Sequence, residues 1–466
     1  MRVLFATSEV RPFSQTGGLA DVAGALPAAL VGRGHEILVI TPWYQDLKTA
    51  SQPYWIGDVD VPFAGGFETV GVGTLERAGV RYAFVGHPSF WRPGLYGYPD
   101  DLERFARFTR ALPQVAARLG FEPQVAHVND WHTALLPMVL GHGWHLPDGF
   151  PGLPSLLTVH NAQFQGTGDL AEVLWWLRLS DDLRGSYLDH FGTANSLQAG
   201  IGFATRVTTV SPTYAEELGT PEYGFGLDGT FRSLAGKVSG ILNGIDTVSF
   251  DPATDPHIPR NYSLVDPQGK QECGRALRHR LGLRDGHPVL GVVSRFADQK
   301  GIDLLLGAAS RLIDQGWSLA LLGTGDPLLE ARALALAVDR PGRVAAVIGY
   351  DDALARSIYA GADALAVPSR FEPCGLSQLI AMRYGTVPIV RATGGLADTV
   401  VHARTGFLFP DASADSLAAA AAQAIDLHGS AAWDAVRDEG MRQDFSWTAS
   451  AIGYERLYQE IAATRR

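Results

Sequence analysis

Two doubly wound α/β domains facing each other across a cleft are the architecture this sequence predicts, and three observations lead there. Short apolar runs that read as buried strands alternate with helical periodicities along both halves of the chain. A stretch with four prolines and little periodicity, residues 251–267, separates the halves and places an interdomain linker near 243–268. A length of 466 residues exceeds what one hydrophobic core ordinarily organises. The domains are therefore expected at 1–242 and 243–446, followed by a C-terminal segment 447–466.

In the first half, Arg2–Ser8 reads as a strand, followed by Thr16-Gly17-Gly18-Leu19-Ala20-Asp21 and a helix through Val22, Ala25, Leu26, Ala29 and Leu30. Glu36–Ile40 is the next buried strand, which completes a βαβ unit. Gly17 and Gly18 let a backbone approach a ligand closely at the helix N-terminus, yet they do not form G-x-G-x-x-G, so the dinucleotide fingerprint is missing. Residues 59–85 read as a strand-rich excursion with turns at 64–66 and 77–79. The aromatic loop 91–98 suits either ligand binding or packing onto the core. After a helix near 101–119, strand Val125–Val128 ends in Asn129-Asp130-Trp131-His132, and strand Ser155–Val159 ends in His160-Asn161. Ligands of open α/β sheets bind at the C-terminal ends of strands, which singles out Asp130, His132, His160 and Asn161. Arg206–Val210 and Lys237–Leu242 are the last strands of this half, with Ser211-Pro212 opening a helix and Asn243 leaving the final strand.

The second half repeats the alternation. Strands are expected at Pro288–Ser294, Ser318–Leu322, Val344–Ile348, Asp363–Val367, Val387–Val390 and Gly406–Phe409, each but the last entering a helix. Thr-Gly-Gly-Leu-Ala-Asp recurs at 393–398, again at a helix start, but no short period suggests a solenoid. The final helix, roughly 447–463, carries an apolar stripe of Ile452, Tyr454, Leu457 and Ile461 that suits packing on either domain, the N-terminal one included.

Composition excludes several classes. A formal charge of −11 argues against a general nucleic-acid binder. Cys273 and Cys374 make no disulfide framework and no metal-type spacing, so no metal is expected and a reducing cytoplasm fits. The N-terminus turns polar too soon for a signal peptide, and no apolar run is long enough for a membrane span.

Chemistry concentrates between Ala366 and Ile380. Gly375, Leu376 and Ser377 open a helix whose first N–H groups make an anion site. Glu372 beside such a cradle repels the anion and needs another partner, such as a sugar hydroxyl or a developing cation; a solvated cap is the plainer reading. Arg295 at a strand end and Lys300 on the following loop are suited to phosphate oxygens, the first as a fork and the second as a point charge. Two cations and one helix dipole would hold a diphosphate and stabilise it as it departs. Tyr350, following a strand and a glycine, either stacks on a base or sits on the rim.

These motifs occur in one order and spacing: Thr16–Val22, Asp130–His132, His160-Asn161, Pro221–Gly224, Gly226–Gly229, Ile241–Asp246, Ser294–Phe296, Gln299–Gly301, Leu322–Asp326, Pro368–Leu376 and Arg383–Pro388. Together they resemble the bacterial glycogen synthases and plant starch synthases, retaining glycosyltransferases of the GT-B fold, over nearly the whole chain. The resemblance implies two Rossmann-like domains and transfer of glucose from ADP-glucose to the non-reducing end of an α-1,4-glucan, with no cofactor, nucleic acid or membrane involved. It implies that Arg295 and Lys300 bind the donor phosphates, that Glu372 faces the transferred glucose, and that Cys374, Gly375, Leu376 and Ser377 line the distal phosphate and sugar. His160 would contact the glucose and the reacting centre, with Asp130, Asn161 and Asn243 nearby, while Gln15, Gly17, Gly18 and Asp21 border the substrate and Tyr350 lies on the adenine. One position departs from the family: Gln15 stands where it usually has lysine, which removes a charge-assisted contact with the donor.

Four rivals remain to be separated. A nicotinamide oxidoreductase gives Lys300 and Glu372 no role, and a glucan phosphorylase requires a lysine-bound pyridoxal. A related UDP-glucose transferase, or a glucan-binding protein without activity, shares the fold.

Overall fold

The computed structural model describes residues 1–47 and 52–464. The chain divides into two compact units, Met1–Asn243 with Trp447–Arg466, and Gly244–Ser446.

In the first unit the strands are β1 (Arg2–Ala6), β2 (Glu36–Pro42), β3 (Tyr54–Phe63), β4 (Gly66–Arg77), β5 (Val80–Gly86), β6 (Val125–Asn129) and β7 (Ser155–Val159). They are followed by β8 (Thr167–Asp169), β9 (Asp189–His190), β10 (Thr193–Asn195), β11 (Arg206–Thr209) and β12 (Val238–Gly240). Among the described residues, nine of these form one sheet in the order β12-β11-β7-β6-β1-β2-β5-β4-β3, and β8, β10 and β9 form a separate antiparallel sheet. Pairing is parallel from β12 through β5 and antiparallel for β4 and β3. Val3, Leu4, Phe5 and Ala6 of β1 are all fully buried, as a parallel strand covered on both faces requires. The excursion 59–85 is a pair of hairpins whose last strand, β5, rejoins the parallel sheet beside β2. Both hairpin turns, Ala64-Gly65 and Ala78-Gly79, hold positive φ at their two central residues, the twist that suits adjoining strands. The last strand of this unit is shorter than the pattern 237–242 suggested.

The final helix, Trp447–Ala462, packs on the helix Gly18–Val31 of the first unit. Its buried face is Trp447, Ala451, Tyr454, Tyr458 and Ile461, which keeps Tyr454 and Ile461 of the stripe expected from the sequence but not the other two: Ile452 is exposed and Leu457 only partly buried. Tyr458 sets the phase, because its hydroxyl reaches His127 Nδ1 of β6 at 2.6 Å and satisfies that buried ring.

The second unit holds β13 (Val289–Val293), β14 (Ser318–Gly323), β15 (Val344–Ile348), β16 (Ala364–Val367), β17 (Val387–Arg391) and β18 (Phe407–Phe409). They form an all-parallel sheet in the order β15-β14-β13-β16-β17-β18. Residues 244–267 carry no helix or strand, but Ile245, Ile258 and Tyr262 are buried in this unit's core. Asp255, also buried, accepts from Arg356 at 3.0 Å. The proline-rich stretch is thus anchored at Asp255, Ile258 and Tyr262.

Both sheets reverse their winding once, between β1 and β6 in the first unit and between β13 and β16 in the second. Crevices outside the carboxyl ends of strands open at such reversals.

Candidate functional site

In the second unit, β13 runs into Ser294-Arg295 and β16 runs into Pro368–Glu372, so both segments leave the sheet at its reversal. A single 3₁₀ turn, Asp298–Lys300, ends at Gly301, whose φ is +62°. A Cβ there would lie 2.0 Å from the Pro368 carbonyl oxygen, so only glycine allows the two loops to meet. The contact delivers Lys300 to Glu372. Its Nζ donates to Oε1 at 2.9 Å and Oε2 at 2.6 Å, and Ser369 Oγ donates to Oε2 at 2.8 Å. Glu372 is 6% exposed. The partner the sequence required for this carboxylate is Lys300, the cation expected to bind phosphate.

Arg295 is exposed, with Nη2 donating to Gln299 Oε1 at 3.3 Å. Arg370, although adjacent, is committed elsewhere, since Asp303 clamps it at 2.8 and 2.7 Å. Cys374 is buried, Gly375 has φ +74°, and Leu376 caps the helix Ser377–Arg383. The second Thr-Gly-Gly segment docks here as well: Gly395 N–H donates to the Glu372 carbonyl at 3.1 Å, and a Cβ on Gly395 would lie 2.3 Å from the Cys374 carbonyl oxygen. Tyr350 follows β15, two strands from the reversal, and is 83% exposed.

In the first unit the reversal brings together the residues after β1, β6 and β7. Asp130 adopts φ +51°, a left-handed conformation uncommon outside glycine and typical of functional turns. Its Oδ1 accepts the backbone N–H groups of His160 at 2.7 Å and Asn161 at 3.4 Å. Burial pushes this carboxyl up to about 7, against the pull of those two N–H groups. His160 Nε2 lies 2.9 Å from Asn129 Oδ1, while Asn129 Nδ2 donates to the Ala6 carbonyl at 3.0 Å. That second bond orients the amide, so His160 carries its proton on Nε2 and keeps Nδ1 as an acceptor. Burial lowers the ring to about 3, so it is neutral at pH 7.

Asn161 Oδ1 accepts Gln163 N–H at 3.0 Å and shapes its own turn. His132 is buried, stacked on Trp131 at 4.1 Å and 4.7 Å from the Tyr96 ring, a packing role. Asn243 is 6% exposed, and its Oδ1 is buried with no hydrogen-bond partner among the described residues. Gly17 precedes the helix Gly18–Val31, Asp21 in its first turn accepts from Arg11 at 2.8 Å, and exposed Gln15 reaches Asp21 Oδ2 only at 3.5 Å.

The sequence reading missed Glu9. It leaves β1 at the reversal, is 3% exposed, and its Oε2 accepts from both the backbone N–H and the hydroxyl of Thr16, the latter at 3.0 Å. The strand-end rule that singled out Asp130 and His160 applies equally to Glu9 and would have found it. Among the described residues, no group of His, Cys, Asp and Glu is placed to hold a metal ion. No described helix is long and apolar enough to cross a membrane.

Comparison with known proteins matches residues 2–233 to the starch synthase catalytic domain family and residues 275–432 to the glycosyl transferases group 1 family. The glycogen synthase of Deinococcus radiodurans is 48% identical over 99% of this chain and 100% of its own. That of Thermus thermophilus is 42% identical over 99% of both. Among solved structures, the catalytic domain of starch synthase IV from Arabidopsis thaliana, bound to ADP and acarbose, superposes with a TM-score of 0.90 at 34% identity over 99% of both chains. Sucrose-phosphate synthase from Thermosynechococcus elongatus, at 20% identity and a TM-score of 0.63, shares the fold.

Proposed function

The chain belongs to the glycogen synthase and starch synthase family of glycosyltransferases, and from that premise we propose the division of labour in its reaction. The enzyme transfers glucose from ADP-glucose to the non-reducing end of an α-1,4-glucan with retention of configuration. The observation that carries this reading is the Lys300–Glu372 pair at the sheet reversal of the second unit.

Lys300 and Arg295 take the donor diphosphate, assisted by the N–H groups of Gly375, Leu376 and Ser377 beside Cys374. When the diphosphate draws the Lys300 ammonium toward itself, Glu372 is released to accept from the hydroxyls of the transferred glucose. The bond from C1 to the phosphate oxygen then breaks through an oxocarbenium-like state. The acceptor hydroxyl attacks from the face the phosphate leaves, and its proton passes to the departing phosphate oxygen, so no second carboxylate is required. His160, neutral, offers Nδ1 and its carbonyl to the sugar. Asp130 positions it by holding the backbone N–H groups of His160 and Asn161. Asn243 brings an unsatisfied carbonyl oxygen, Gln15, Gly17, Gly18 and Asp21 lie on the donor side, and Tyr350 supplies a face for the adenine. No cofactor enters these steps, and the reaction is a cytoplasmic one, a reading that kinship with bacterial glycogen synthases supports.

The test is nucleotide release from ADP-glucose and from UDP-glucose, with and without glycogen, for wild type and Glu372→Ala. Glycogen-dependent ADP release that the substitution abolishes is expected. Release from UDP-glucose alone overturns the donor assignment, and release from neither overturns the transferase reading.

A further inference from the structure

Among the described residues, Glu9 is the one buried carboxylate at a sheet reversal that the proposed reaction leaves without a task. We propose that Glu9 is a positioning residue for the donor diphosphate: its carboxyl group ties down the Thr16–Gly17 turn and takes up a proton when the diphosphate docks against Gly17 and Gly18. The inference rests on the donor reading given above.

The geometry carries it. Glu9 Oε2 accepts from Thr16 N–H and, at 3.0 Å, from Thr16 Oγ1, and Gly17 N–H adds a further bond. A Cβ on Gly17 would lie 3.9 Å from Oε1, so the turn is laid directly over the carboxyl group. Gly17 is the residue before the helix Gly18–Val31, and the conformation of this turn decides where the first helical N–H groups point. An ionised Glu9 under that turn would repel an arriving phosphate, and a missing one would leave the turn unheld.

The groups facing Glu9 are Asp21 from the helix, Asp130 from the end of β6, and the Tyr44 and Tyr96 phenols. None of these is a cation. A proton is therefore what relieves the charge, and burial already raises the carboxyl to about 7. Protonation on Oε1 does not release the turn, because Oε2 keeps both the N–H and the hydroxyl of Thr16. A glutamine at this position reproduces that protonated pattern without any charge.

Signs follow directly. Donor binding takes up a proton on Glu9, so donor affinity is highest below pH 7 and falls above it, by at most about tenfold per pH unit. The phosphates of ADP-glucose are diesters and do not titrate in this range, so the donor itself contributes no slope.

The experiment measures KM for ADP-glucose and kcat at saturating glycogen from pH 6 to 8.5, for wild type, Glu9→Gln and Glu9→Ala, with thermal unfolding of each variant. Wild-type KM is expected to rise several-fold between pH 7 and 8. Glu9→Gln is expected to lose that slope and keep a low KM at pH 8, whereas Glu9→Ala has a raised KM at every pH. A wild-type KM independent of pH, a Glu9→Gln slope parallel to wild type, or equal impairment of Gln and Ala variants would each overturn the proposal. If Glu9→Ala unfolds, the isosteric Glu9→Gln alone decides it. Absence of wild-type turnover of ADP-glucose overturns the donor reading and this inference together, whereas failure of Glu9 alone shows only in the variants.

Discussion

Replacing Lys300 by alanine separates what the ion pair contributes to folding from what it contributes to chemistry. The Lys300 and Glu372 side chains are 19% and 7% exposed, and Nζ lies within hydrogen-bond distance of both carboxylate oxygens. Removing one partner of a buried pair costs about 3–5 kcal/mol, because an uncompensated charge stays behind. Ser369 still donates to Glu372, and some water reaches the Lys300 position, so the lower end, about 3 kcal/mol, applies here. For a unit of this size that corresponds to a fall of about 6–12 °C in its melting temperature. The double variant Lys300→Ala/Glu372→Gln leaves no charge, so it should recover at least half of the loss. Activity behaves oppositely: losing the phosphate cation should lower kcat/KM roughly 100-fold in the single variant, and glutamine cannot restore it. Urea unfolding followed by circular dichroism gives the stabilities, and ADP release from ADP-glucose gives the rates. Strictly additive stability losses in the double variant would show that the two groups do not support one another and would refute the argument.

Four further outcomes are expected. Gln15→Lys should lower KM for ADP-glucose by about tenfold, the value of one charge-assisted bond, and leave KM for glycogen unmoved; unchanged donor constants would show that the position does not meet the donor. Asp130→Asn should gain stability relative to wild type as pH rises from 5 to 8. Its folded carboxyl titrates near 7, above the usual value of 3.8, so wild type loses up to about 1.4 kcal/mol per pH unit across that window. Unfolding free energies at the two pH values check this, and a constant difference would count against it. Tyr458→Phe should cost about 1–2 kcal/mol by leaving His127 Nδ1 unpaired, read by thermal unfolding, with little change in the rate constants. Tyr350→Ala should raise KM for ADP-glucose roughly three- to tenfold at constant kcat if the exposed ring stacks on adenine, a contact of about 1 kcal/mol.

The alternation of strands and helices was legible because parallel strands covered on both faces are continuous apolar runs. Val289–Val293, Ser318–Gly323 and Val344–Ile348 all appear within a residue or two of their expected limits. Both hairpin turns were legible from their Ala-Gly pairs. The phase of the last helix was not. Apolar Ile452 and Leu457 outweighed Ala451 and Tyr458 by hydrophobicity, but a phenol with a buried histidine partner settled which face turned inward. The site residues were found as types at strand ends, whereas their partnerships were not. Lys300 and Glu372 are 72 positions apart, and it is the joining of their two loops, by the close approach of Gly301 to Pro368 and by bonds such as Arg370 N–H to the Gln299 carbonyl, that makes them neighbours. Glu9 was hidden for a different reason: its partners lie in the Thr-Gly-Gly turn seven residues downstream, and only the fold lays that turn over the carboxylate.

The two Thr-Gly-Gly segments show how one local sequence serves opposite electrostatic arrangements. In the first unit the segment opens a helix of 14 residues and binds a buried carboxylate through its side chain, Glu9. In the second it opens one of six residues and binds a buried glutamate through its main chain, at the Glu372 carbonyl. Glu372 therefore has its carboxylate free for Lys300, and its charge is balanced by the protein itself. Besides its Thr16 and Gly17 donors Glu9 has acids and phenols around it, and on the proposal above a proton balances its charge. It follows that pH should act on the first unit's segment and ionic strength on neither, since both carboxylates are buried beyond effective screening. A donor KM whose pH dependence persists unchanged from low to high salt is the behaviour this arrangement requires. A slope that salt erases would place the titrating group on the surface instead.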